Sequence, residues 1–389
     1  MSSYTSGTTG NPKGVMLSHD NFVWTALQSE DEAVRKARSE GIEFRVVSYL
    51  PLSHVAAQFA DLFLSFTNGA SVFFTDVNAL RGTLIDYLLE VRPVVFLGVP
   101  RIFEKMEEKV RAALEKKPFV YKWATYFGQK GHDSVMKGQT PLLTYRILNK
   151  IVYSKVRESL GLDQCINIIS GAAPLPLKTR EFFFSLGMFI NNTFGMSETT
   201  APMTTMFSEQ YPLYDLKSAG ITLAGTETIV LKSDPNAEVG ELCFRGRNIF
   251  MGYLKNEQAT RDTIDSARRV HSGDEGFLTK EGLVYITGRL KELLVTAAGE
   301  NVAPVIIEMA MKEELPFVSN FVAIGDQKKF VAALVSLKVT SNASESPNRI
   351  LMPEAVEYLE SRGIKGLKTV DDAINNADVK RLVQEGNFE

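Results

Sequence analysis

Residues 4–14 form a stretch whose side chains could bind phosphate. It reads YTSGTTGNPKG and holds four serine or threonine hydroxyls, three glycines and one lysine. Amide and hydroxyl donors of this kind can surround a polyphosphate, and glycine lets the backbone approach the ligand. The stretch is not a Walker A loop, because Pro12 precedes Lys13 and Gly14 follows it. On composition alone, an ordinary Gly/Ser/Thr-rich loop remains the simpler explanation.

Four more places carry residue types that suit a nucleotide or a carboxylate. Residues 193–200 (TFGMSETT) offer an aromatic ring for a purine, hydroxyls for phosphate and a carboxylate for Mg²⁺. Asp274, in the string HSGD, could accept hydrogen bonds from ribose hydroxyls, although an Asp in a turn commonly binds its own backbone. The small residues 170–175 (SGAAPL) could be only a strand-to-helix turn, and His54 could be a structural histidine. These residues therefore allow nucleotide chemistry without requiring it.

The elements that would position these residues alternate between short β-branched or aromatic runs and amphipathic stretches, which is typical of an α/β fold. The predicted strands cover residues 45–50, 70–75, 94–99, 165–170, 188–193, 227–231, 240–245, 277–287, 319–325 and 331–338. The predicted helices cover residues 20–39, 101–116, 142–160, 304–315, 353–362 and 370–385, with Ser18 as the N-cap of the first. Residues 340–348 are predicted to form a surface loop.

The pattern changes from α/β to α+β near Lys291. We therefore expect a large multi-layer nucleotide-binding domain over residues 1–290 and a smaller α+β domain over residues 291–389.

Composition excludes several classes of protein. The chain has 43 Lys+Arg against 46 Asp+Glu, a net charge of −3, which gives no electrostatic footprint for nucleic acid. Its two cysteines, Cys165 and Cys243, are too few for a disulfide scaffold and favour a reducing compartment. No apolar run reaches the roughly 18 residues of a membrane span, and no secretory signal is visible. We therefore expect a cytoplasmic protein that binds small molecules.

The string TSGTTGNPKG resembles the phosphate loop of the adenylate-forming superfamily, which includes acyl-CoA synthetases, luciferases and peptide-synthetase adenylation domains. Further stretches resemble that family in the same order: VMLSHDN, YLPLSHVAAQ, VPRIFEKM, FGMSETT, RNIFMGYL and GENVAP. The details are most similar to long-chain fatty acyl-CoA synthetases of the bubblegum type. The resemblance runs from Tyr4 to about Lys338 and weakens after it.

This resemblance implies ATP-dependent ligation of a long-chain fatty acid to coenzyme A through an acyl-adenylate, with Mg²⁺ as cofactor. It implies catalytic roles for Thr5, Lys13, His54, Glu198 and Lys291, with Glu198 as the metal ligand and Lys291 at an interdomain hinge. It also implies that a larger set contacts ATP or AMP: Thr5, Ser6, Gly7, Thr8, Thr9, Gly10, Lys13, Gly171, Ala172, Ala173, Thr193, Phe194, Gly195, Ser197, Asp274 and Arg289. In that set, Phe194 would hold the adenine, and Asp274 with Arg289 the ribose.

The sequence departs from the family pattern at three places. Phe194 stands where Tyr is usual, Arg269-Val270 where Gly-Trp is usual, and Ala298 where a second Gly is usual. We also expect a region before the phosphate loop and a C-terminal lysine segment to be missing, so that the chain is a fragment. A catalytically impaired nucleotide or lipid binder, and a ligase for another carboxylic acid, therefore remain alternatives. Peripheral attachment to the endoplasmic reticulum or another membrane stays open.

Overall fold

The computed structural model describes residues 2–5, 12–116, 118–290, 294–295, 301–302, 304–326, 328, 330–340 and 349–385. The chain divides into two compact units, Met1–Ile286 and Thr287–Glu389. The domain boundary expected at residue 290 stays a prediction.

The strands, in chain order, are β1 Ser2–Thr5, β2 Lys13–Met16, β3 Arg45–Ser48, β4 Ser71–Phe74, β5 Val95–Gly98, β6 Asn167–Ser170, β7 Ile190–Asn192, β8 Phe194–Met196, β9 Ala201–Thr205, β10 Ile221–Thr222, β11 Thr226–Leu231, β12 Gly240–Gly246, β13 Gly252–Tyr253, β14 Val270–Leu278, β15 Val284–Arg289, β16 Leu294–Val295, β17 Asn301–Val302, β18 Val318–Ile324 and β19 Ala332–Leu337. The α-helices are α1 His19–Gln28, α2 Glu32–Ser39, α3 Val55–Ala57, α4 Leu64–Asn68, α5 Leu84–Val91, α6 Pro100–Glu115, α7 Pro118–Met136, α8 Leu143–Leu148, α9 Ser154–Ser159, α10 Leu177–Ser185, α11 Glu257–Thr263, α12 Pro304–Glu314, α13 Pro353–Ser361, α14 Val370–Asn375 and α15 Ala377–Glu385. Gln58–Phe63 and Asn149–Tyr153 are π-helical, and Ala79–Arg81, Ser197–Thr199 and Ser208–Leu213 are 3₁₀ turns.

The first unit combines parallel and antiparallel sheets. Strands β3 and β4 pair in parallel, as do β5, β6 and β7 in that order. Strands β1, β2 and β13 form an antiparallel sheet, as do β8, β9 and β10, while β11, β12, β14 and β15 form a further sheet. In the second unit, β16 pairs with β17 and β18 with β19. This arrangement of helices and sheets confirms the predicted α/β class.

The helix predicted over residues 20–39 is in fact two helices, α1 and α2. Ser18 caps α1 as expected, because its hydroxyl accepts the Asn21 N–H at 3.0 Å. A second cap follows at Asp31, whose carboxylate accepts the N–H of Ala33 at 2.8 Å and that of Ser208 at 2.9 Å. The break is therefore fixed partly by a contact distant in sequence, which helical periodicity could not reveal.

Three other predicted ranges need correction or lie outside the description. Residues 277–287 are not one strand, because a turn at Gly282 separates β14 from β15. Residues 370–385 are two helices, separated at Asn376, whose side chain accepts the N–H of Asp378 at 2.9 Å. The long helix α7 was not predicted at all. Most of the loop predicted over residues 340–348 lies outside the described residues.

Each unit has its own hydrophobic core. In the first unit, aromatic side chains fill the space between the sheet of β5–β7 and the neighbouring helices, among them Phe96, Phe103 and Phe183. In the second unit, Phe317 and Leu359 lie in a separate core. Among the described residues, no helix is both long and apolar enough to cross a bilayer.

Candidate functional site

Three segments distant in sequence meet around the side chain of Tyr253. Its hydroxyl donates a hydrogen bond to Oε1 of Glu198 at 2.6 Å. The Lys13 ammonium lies over the Tyr253 ring, with Nζ 4.9 Å from its centroid. Burial, and then the negative charge of Glu198, raises the pKa of the Tyr253 hydroxyl, so the phenol remains a donor. The structure thus brings together Lys13 and Glu198, two residues that the sequence singled out.

The backbone around Glu198 is held by the segment that precedes Tyr253. The Phe250 N–H donates to the Glu198 carbonyl at 2.9 Å. The Thr200 hydroxyl donates to the carbonyl of Asn248 at 2.6 Å, and the Asn248 side-chain amide donates to the Thr199 carbonyl at 3.1 Å. These bonds fix a 3₁₀ turn in which Glu198 is buried. The buried carboxylate is therefore positioned by tertiary contacts rather than by its own short turn.

Two residues with positive backbone φ angles follow the Ser197–Thr199 turn. Thr200 has a φ of 60° and Ala201 a φ of 74°, a region that residues with a Cβ rarely adopt. Such strained residues cluster at functional sites, where the surrounding structure holds them in place. The strain supports a specialised role for this turn.

A second group of predicted residues lies at the carboxyl ends of the parallel strands β6 and β7. The Thr193 N–H donates to the carbonyl of Ser170 at 2.8 Å, which joins the two strand ends. Ala172 and Ala173 follow and are exposed, and Ala172 has a φ of 70°. Ligands of α/β proteins commonly bind at this edge of a parallel sheet. Small exposed side chains here leave room for a flat ring.

Strand β8 links Thr193 to the Glu198 turn along the chain and carries Phe194, Gly195 and Met196. Phe194 is half-buried, and its ring centroid lies 5.6 Å from that of Phe244 at a tilt of 40°. A Cβ built on Gly195 would come within 1.7 Å of the Ala201 carbonyl oxygen, so glycine is required there. Ser197, which follows, is half-buried at the start of the Glu198 turn.

Asp274 is buried within strand β14, upstream of the strand that the sequence predicts from residue 277. The pairing of β12 and β14 shifts register between Glu241 and Cys243, and the resulting irregularity lies beside the HSGD string. Glu241 holds that string in place, because its Oε1 accepts the Gly273 N–H at 3.0 Å and its Oε2 lies 2.7 Å from Nδ1 of His271. Sequence reasoning missed Glu241, since only the strand pairing reveals it.

Glu241, Cys243 and His271 also have the donor types of a metal site, and their ligand atoms lie within 4.8 Å of one another. Burial raises the pKa of the Cys243 thiol to about 12, with a further contribution from the charge of Glu241. Through the bonds of Glu241 to the Gly273 N–H and to His271, the group supports the HSGD string.

His54 caps the short helix α3. Its Nδ1 accepts the Ala56 N–H at 3.2 Å, which leaves the proton on Nε2, and the residue is exposed. The π-helical turn that follows places Asp61 against Ser48, whose hydroxyl donates to it at 2.6 Å. Burial raises the pKa of Asp61 to about 6. Such π-helical turns are often found at functional sites. The sequence analysis did not predict this one.

The remaining predicted residues are less fully described. Ser6, Gly7, Thr8, Thr9, Gly10 and Lys291 lie outside the described residues, as does half of the GENVAP stretch. The backbone of Thr5 pairs with that of Lys13 in the sheet of β1 and β2. Gly171 is buried in the loop after β6, whereas Arg289 is exposed at the end of β15, in the second unit. Because Asp274 belongs to the first unit, its pairing with Arg289 on one ribose stays a prediction.

Comparison with known families gives two adjacent matches. Residues 2–254 match the family described as AMP-binding enzyme. Residues 291–361 match the AMP-binding enzyme C-terminal domain.

Several curated proteins are similar to nearly the whole chain. The long-chain-fatty-acid–CoA ligase ACSBG2 of Gallus gallus is 45% identical over 381 residues, which cover 96% of this chain and 49% of the relative. The protein of the same name from Homo sapiens is 42% identical over 98% of this chain and 57% of the relative. The long-chain-fatty-acid–CoA ligase ACSBG1 of Rattus norvegicus is 41% identical over 98% of this chain and 53% of the relative. The chain thus spans about half the length of the curated relatives it matches.

Solved structures show the same fold at lower identity. O-succinylbenzoate coenzyme A synthetase (MenE) from Bacillus subtilis, in complex with AMP, aligns with a TM-score of 0.62 and 22% identity, covering 93% of this chain and 62% of that one. An ATP-bound RpMatB-BxBclM chimera aligns with a TM-score of 0.63 and 24% identity, covering 93% and 61%. At these identities the likeness shows the fold alone.

Proposed function

Since the chain belongs to the AMP-binding enzyme family, we propose that it carries the adenylation site of a long-chain fatty acid–CoA ligase. One observation carries the proposal: 45% identity to a protein of that name extends over 96% of this chain. The group of buried Glu198, buried Tyr253 and half-buried Lys13 supports it, because it combines a carboxylate with a cation at one place.

The proposed reaction has two steps. In the first, a carboxylate oxygen of the fatty acid attacks the α-phosphorus of ATP, diphosphate leaves, and an acyl-adenylate forms. In the second, the thiolate of CoA attacks the acyl carbon, the bond to the phosphate oxygen breaks, and AMP leaves with the electron pair. The thioester and AMP each contain one oxygen of the original carboxylate. Negative charge on the phosphate rises in the first step, so fixed positive charge nearby lowers its barrier.

Lys13 is the described cation best placed for that purpose. Its ammonium lies over the ring of Tyr253, whose hydroxyl donates to Glu198. We assign it, with Thr5 and the hydroxyl and amide groups of residues 6–10, to the phosphates. In the same proposal Phe194 holds the adenine.

The other assignments follow the loops at the strand ends. Gly171, Ala172 and Ala173, together with Thr193, Gly195 and Ser197, would line the adenine and phosphate side. Asp274 and Arg289 would take the ribose hydroxyls, since a carboxylate can accept both hydrogen bonds. His54 would face the fatty-acid carboxylate through its exposed ring. Lys291 would act as the hinge of the second unit.

The carboxylate oxygens of Glu198 are suitable ligands for Mg²⁺, which we propose as the cofactor. One carboxylate oxygen is oriented by the Tyr253 hydroxyl, and hard carboxylate oxygens are the protein ligands that Mg²⁺ prefers. When bound, the ion would withdraw negative charge from the phosphate oxygens. Glu198 would hold it, Tyr253 would orient Glu198, and Lys13 would balance the remaining charge.

The substrate class is tested by supplying the purified protein with ATP, CoA and one acid at a time. We expect hexadecanoate to give the thioester and AMP at a lower KM than octanoate, because each buried CH₂ contributes about 0.8 kcal/mol. Benzoate and acetate should give little product. If only benzoate or acetate gave a thioester, the substrate would be an aromatic or short-chain acid and not a long-chain fatty acid. Nucleotide binding without any thioester would favour a non-catalytic binder.

A further inference from the structure

Glu241, Cys243 and His271 lie on two neighbouring strands, at the point where the pairing of these strands is irregular. Glu241 and Cys243 belong to β12, and His271 belongs to β14. Cys243 is paired directly with His271, whereas Glu241 is paired with Glu275, four residues after His271. Strand β14 therefore carries two more residues than β12 over this interval, and they lie in the HSGD string. The irregular pairing brings the three side chains together at one edge of that string.

The ligand atoms of the three side chains converge on one ring nitrogen. Oε2 of Glu241 lies 2.7 Å from Nδ1 of His271, and Sγ of Cys243 lies 3.6 Å from the same nitrogen. All three ligand atoms lie within 4.8 Å of one another. Nδ1 carries at most one proton, which the carboxylate accepts at the shorter distance. A cation in place of that proton would bind oxygen, nitrogen and sulfur at once.

A fourth side chain faces the imidazole ring from its other edge. Oδ2 of Asp265 lies 3.6 Å from Nε2 of His271, and the guanidinium of Arg269 holds the same oxygen at 2.7 Å. A histidine that binds a metal usually directs its other ring nitrogen at a carboxylate, which fixes the tautomer. With its proton on Nε2, facing Asp265, the ring would present the lone pair of Nδ1 to the ion. The arrangement of Asp265 is thus a second feature of a metal site, independent of the three ligands.

Access and charge also suit a divalent ion. The side chain of His271 is 30% exposed and that of Glu241 20%, so an ion can reach them from solvent, whereas Cys243 is fully buried. Because burial raises the pKa of the Cys243 thiol, the thiolate is costly without a cation beside it. A bound metal ion removes the proton of a coordinating thiol outright. The carboxylate and the thiolate then balance the two positive charges of the ion.

We propose that Glu241, Cys243 and His271 form a binding site for one Zn²⁺ ion, here called the β12–β14 site. The ligands are a carboxylate oxygen of Glu241, the sulfur of Cys243 and Nδ1 of His271, and the thiol proton leaves to solvent. A water molecule completes the four ligands that Zn²⁺ takes in proteins. Sulfur and imidazole ligands favour Zn²⁺ over Mg²⁺ and Ca²⁺, which prefer oxygen. The β12–β14 site does not depend on the proposed ligase activity, so the two can fail separately.

An ion at the β12–β14 site would tie the two strands together. Two of its ligands come from β12 and one from β14, so the complete set of ligands exists where these strands are paired. An ion that binds the folded chain and not the unfolded chain stabilises the folded state. We therefore expect Zn²⁺ to raise the melting temperature of the purified protein, and Mg²⁺ at the same concentration to raise it much less.

Substitution with cobalt tests the sulfur ligand directly. Co²⁺ can take the place of Zn²⁺, and it gives a near-ultraviolet charge-transfer band when a thiolate binds it. The chain has two cysteines, so in the variant Cys165→Ser this band can come only from Cys243. We expect the band to saturate at one equivalent of Co²⁺ in the parent and in Cys165→Ser, and to be lost in Cys243→Ser. This result does not require Cys243→Ser to fold, because Cys165→Ser alone assigns the band.

The affinity for Zn²⁺, measured by competition with a chromophoric chelator, tests the other residues. Asp265→Asn should weaken binding by about 10- to 100-fold, as expected for a carboxylate that orients a metal ligand. His271→Gln should weaken it further, because a ligand is lost. His19→Gln is the matched control, since His19 is exposed at the start of α1, and it should bind as the parent does.

Circular dichroism of the metal-free variants shows whether they are folded. No binding of Zn²⁺ by the parent, or no cobalt–thiolate band in Cys165→Ser, would overturn the β12–β14 site. Equal affinity for Zn²⁺ in His271→Gln and in the parent would overturn it as well.

Discussion

Glu198 owes its position to a tyrosine that lies far along the chain. The Tyr253 hydroxyl donates to one oxygen of the buried carboxylate and so orients it. A hydrogen bond that involves a charged group contributes about 1.5 to 3 kcal/mol. The pair therefore behaves as one unit, in which Glu198 is the proposed ligand and Tyr253 the positioning residue.

Glu198→Gln should weaken binding of ATP with Mg²⁺ by roughly 10- to 100-fold, because a neutral amide replaces the charged oxygen donor. Binding of ATP without Mg²⁺ should change much less. Titration calorimetry with and without the ion measures both. Glu227→Gln is the matched control, since Glu227 is exposed and pairs with Arg245 at 2.7 Å. An equal loss of ATP affinity with and without Mg²⁺ would show that Glu198 does not bind the metal.

Asp61 should make folding stability depend on pH. Its pKa in the folded protein is raised to about 6 from an ordinary value of 3.8, so the folded state binds more protons between those values. The contribution of Asp61 to the free energy of unfolding is fully present below pH 4. It is lost as the pH rises through 6, and the loss amounts to at most about 3 kcal/mol. Asp61→Asn, which cannot ionise, should therefore gain stability relative to the parent between pH 4 and pH 7. Denaturant unfolding at both pH values measures the difference.

His132 acts in the opposite direction over nearly the same range. Burial lowers its pKa to about 4, so the unfolded state binds more protons and stability falls as pH drops below 6.5. In the parent protein, the pH-dependent contributions of Asp61 and His132 to the free energy of unfolding partly cancel. The effect of Asp61 alone is given by the difference in the free energy of unfolding between Asp61→Asn and the parent. If that difference did not change with pH, it would contradict the raised pKa of Asp61.

At the scale of elements, strands β8 and β9 and the turn between them form the centre of the candidate site. The two strands approach so closely at Gly195 that no side chain fits. Gly195→Ala should lower stability by about 1 to 3 kcal/mol or more, because the Ala201 carbonyl would have to move. Gly171→Ala is the control, since its Cβ would meet nothing nearer than 3.7 Å. Thermal unfolding compares them, and equal melting temperatures would show that β9 can shift freely.

Short elements with strong local signals were predictable from the sequence. Strands β3 to β7 each lie within a predicted range; α6 deviates from its range by one residue at each end, and α12 by one residue at its C-terminal end. These elements are defined by local apolar runs and by prolines at the helix starts. Helix α7 was missed because three of its buried positions, Ala124, Gly128 and Gly131, have small side chains, while large apolar side chains such as Phe119 and Trp123 are exposed. A search for an apolar inner face cannot find such a helix.

The candidate site was predictable as a set of residues but not as an arrangement. Lys13 and Glu198 stood out by residue type, whereas Tyr253 and Glu241 had no chemical signal of their own. Both are defined by long-range contacts, one with the Glu198 turn and the other across strands β12 and β14. Such pairings depend on strand register, which one sequence does not fix.

At the scale of the whole molecule, the chain consists of two units with separate cores. Most described parts of the candidate site belong to the first unit, among them Lys13, His54, Gly171, Phe194, Glu198, Tyr253 and Asp274. The proposed adenylation chemistry therefore rests mainly on that unit. The second unit contributes Arg289 and Lys291 to the proposal.

Transfer of oxygen from the fatty acid to AMP tests the central claim most directly. Hexadecanoate labelled with ¹⁸O in both carboxylate oxygens is turned over with ATP and CoA, and the nucleotide product is analysed by mass spectrometry. An acyl-adenylate requires that AMP gains one labelled oxygen and that the thioester keeps the other. Unlabelled AMP, or ADP with label in inorganic phosphate, would contradict an acyl-adenylate and with it the account of this site.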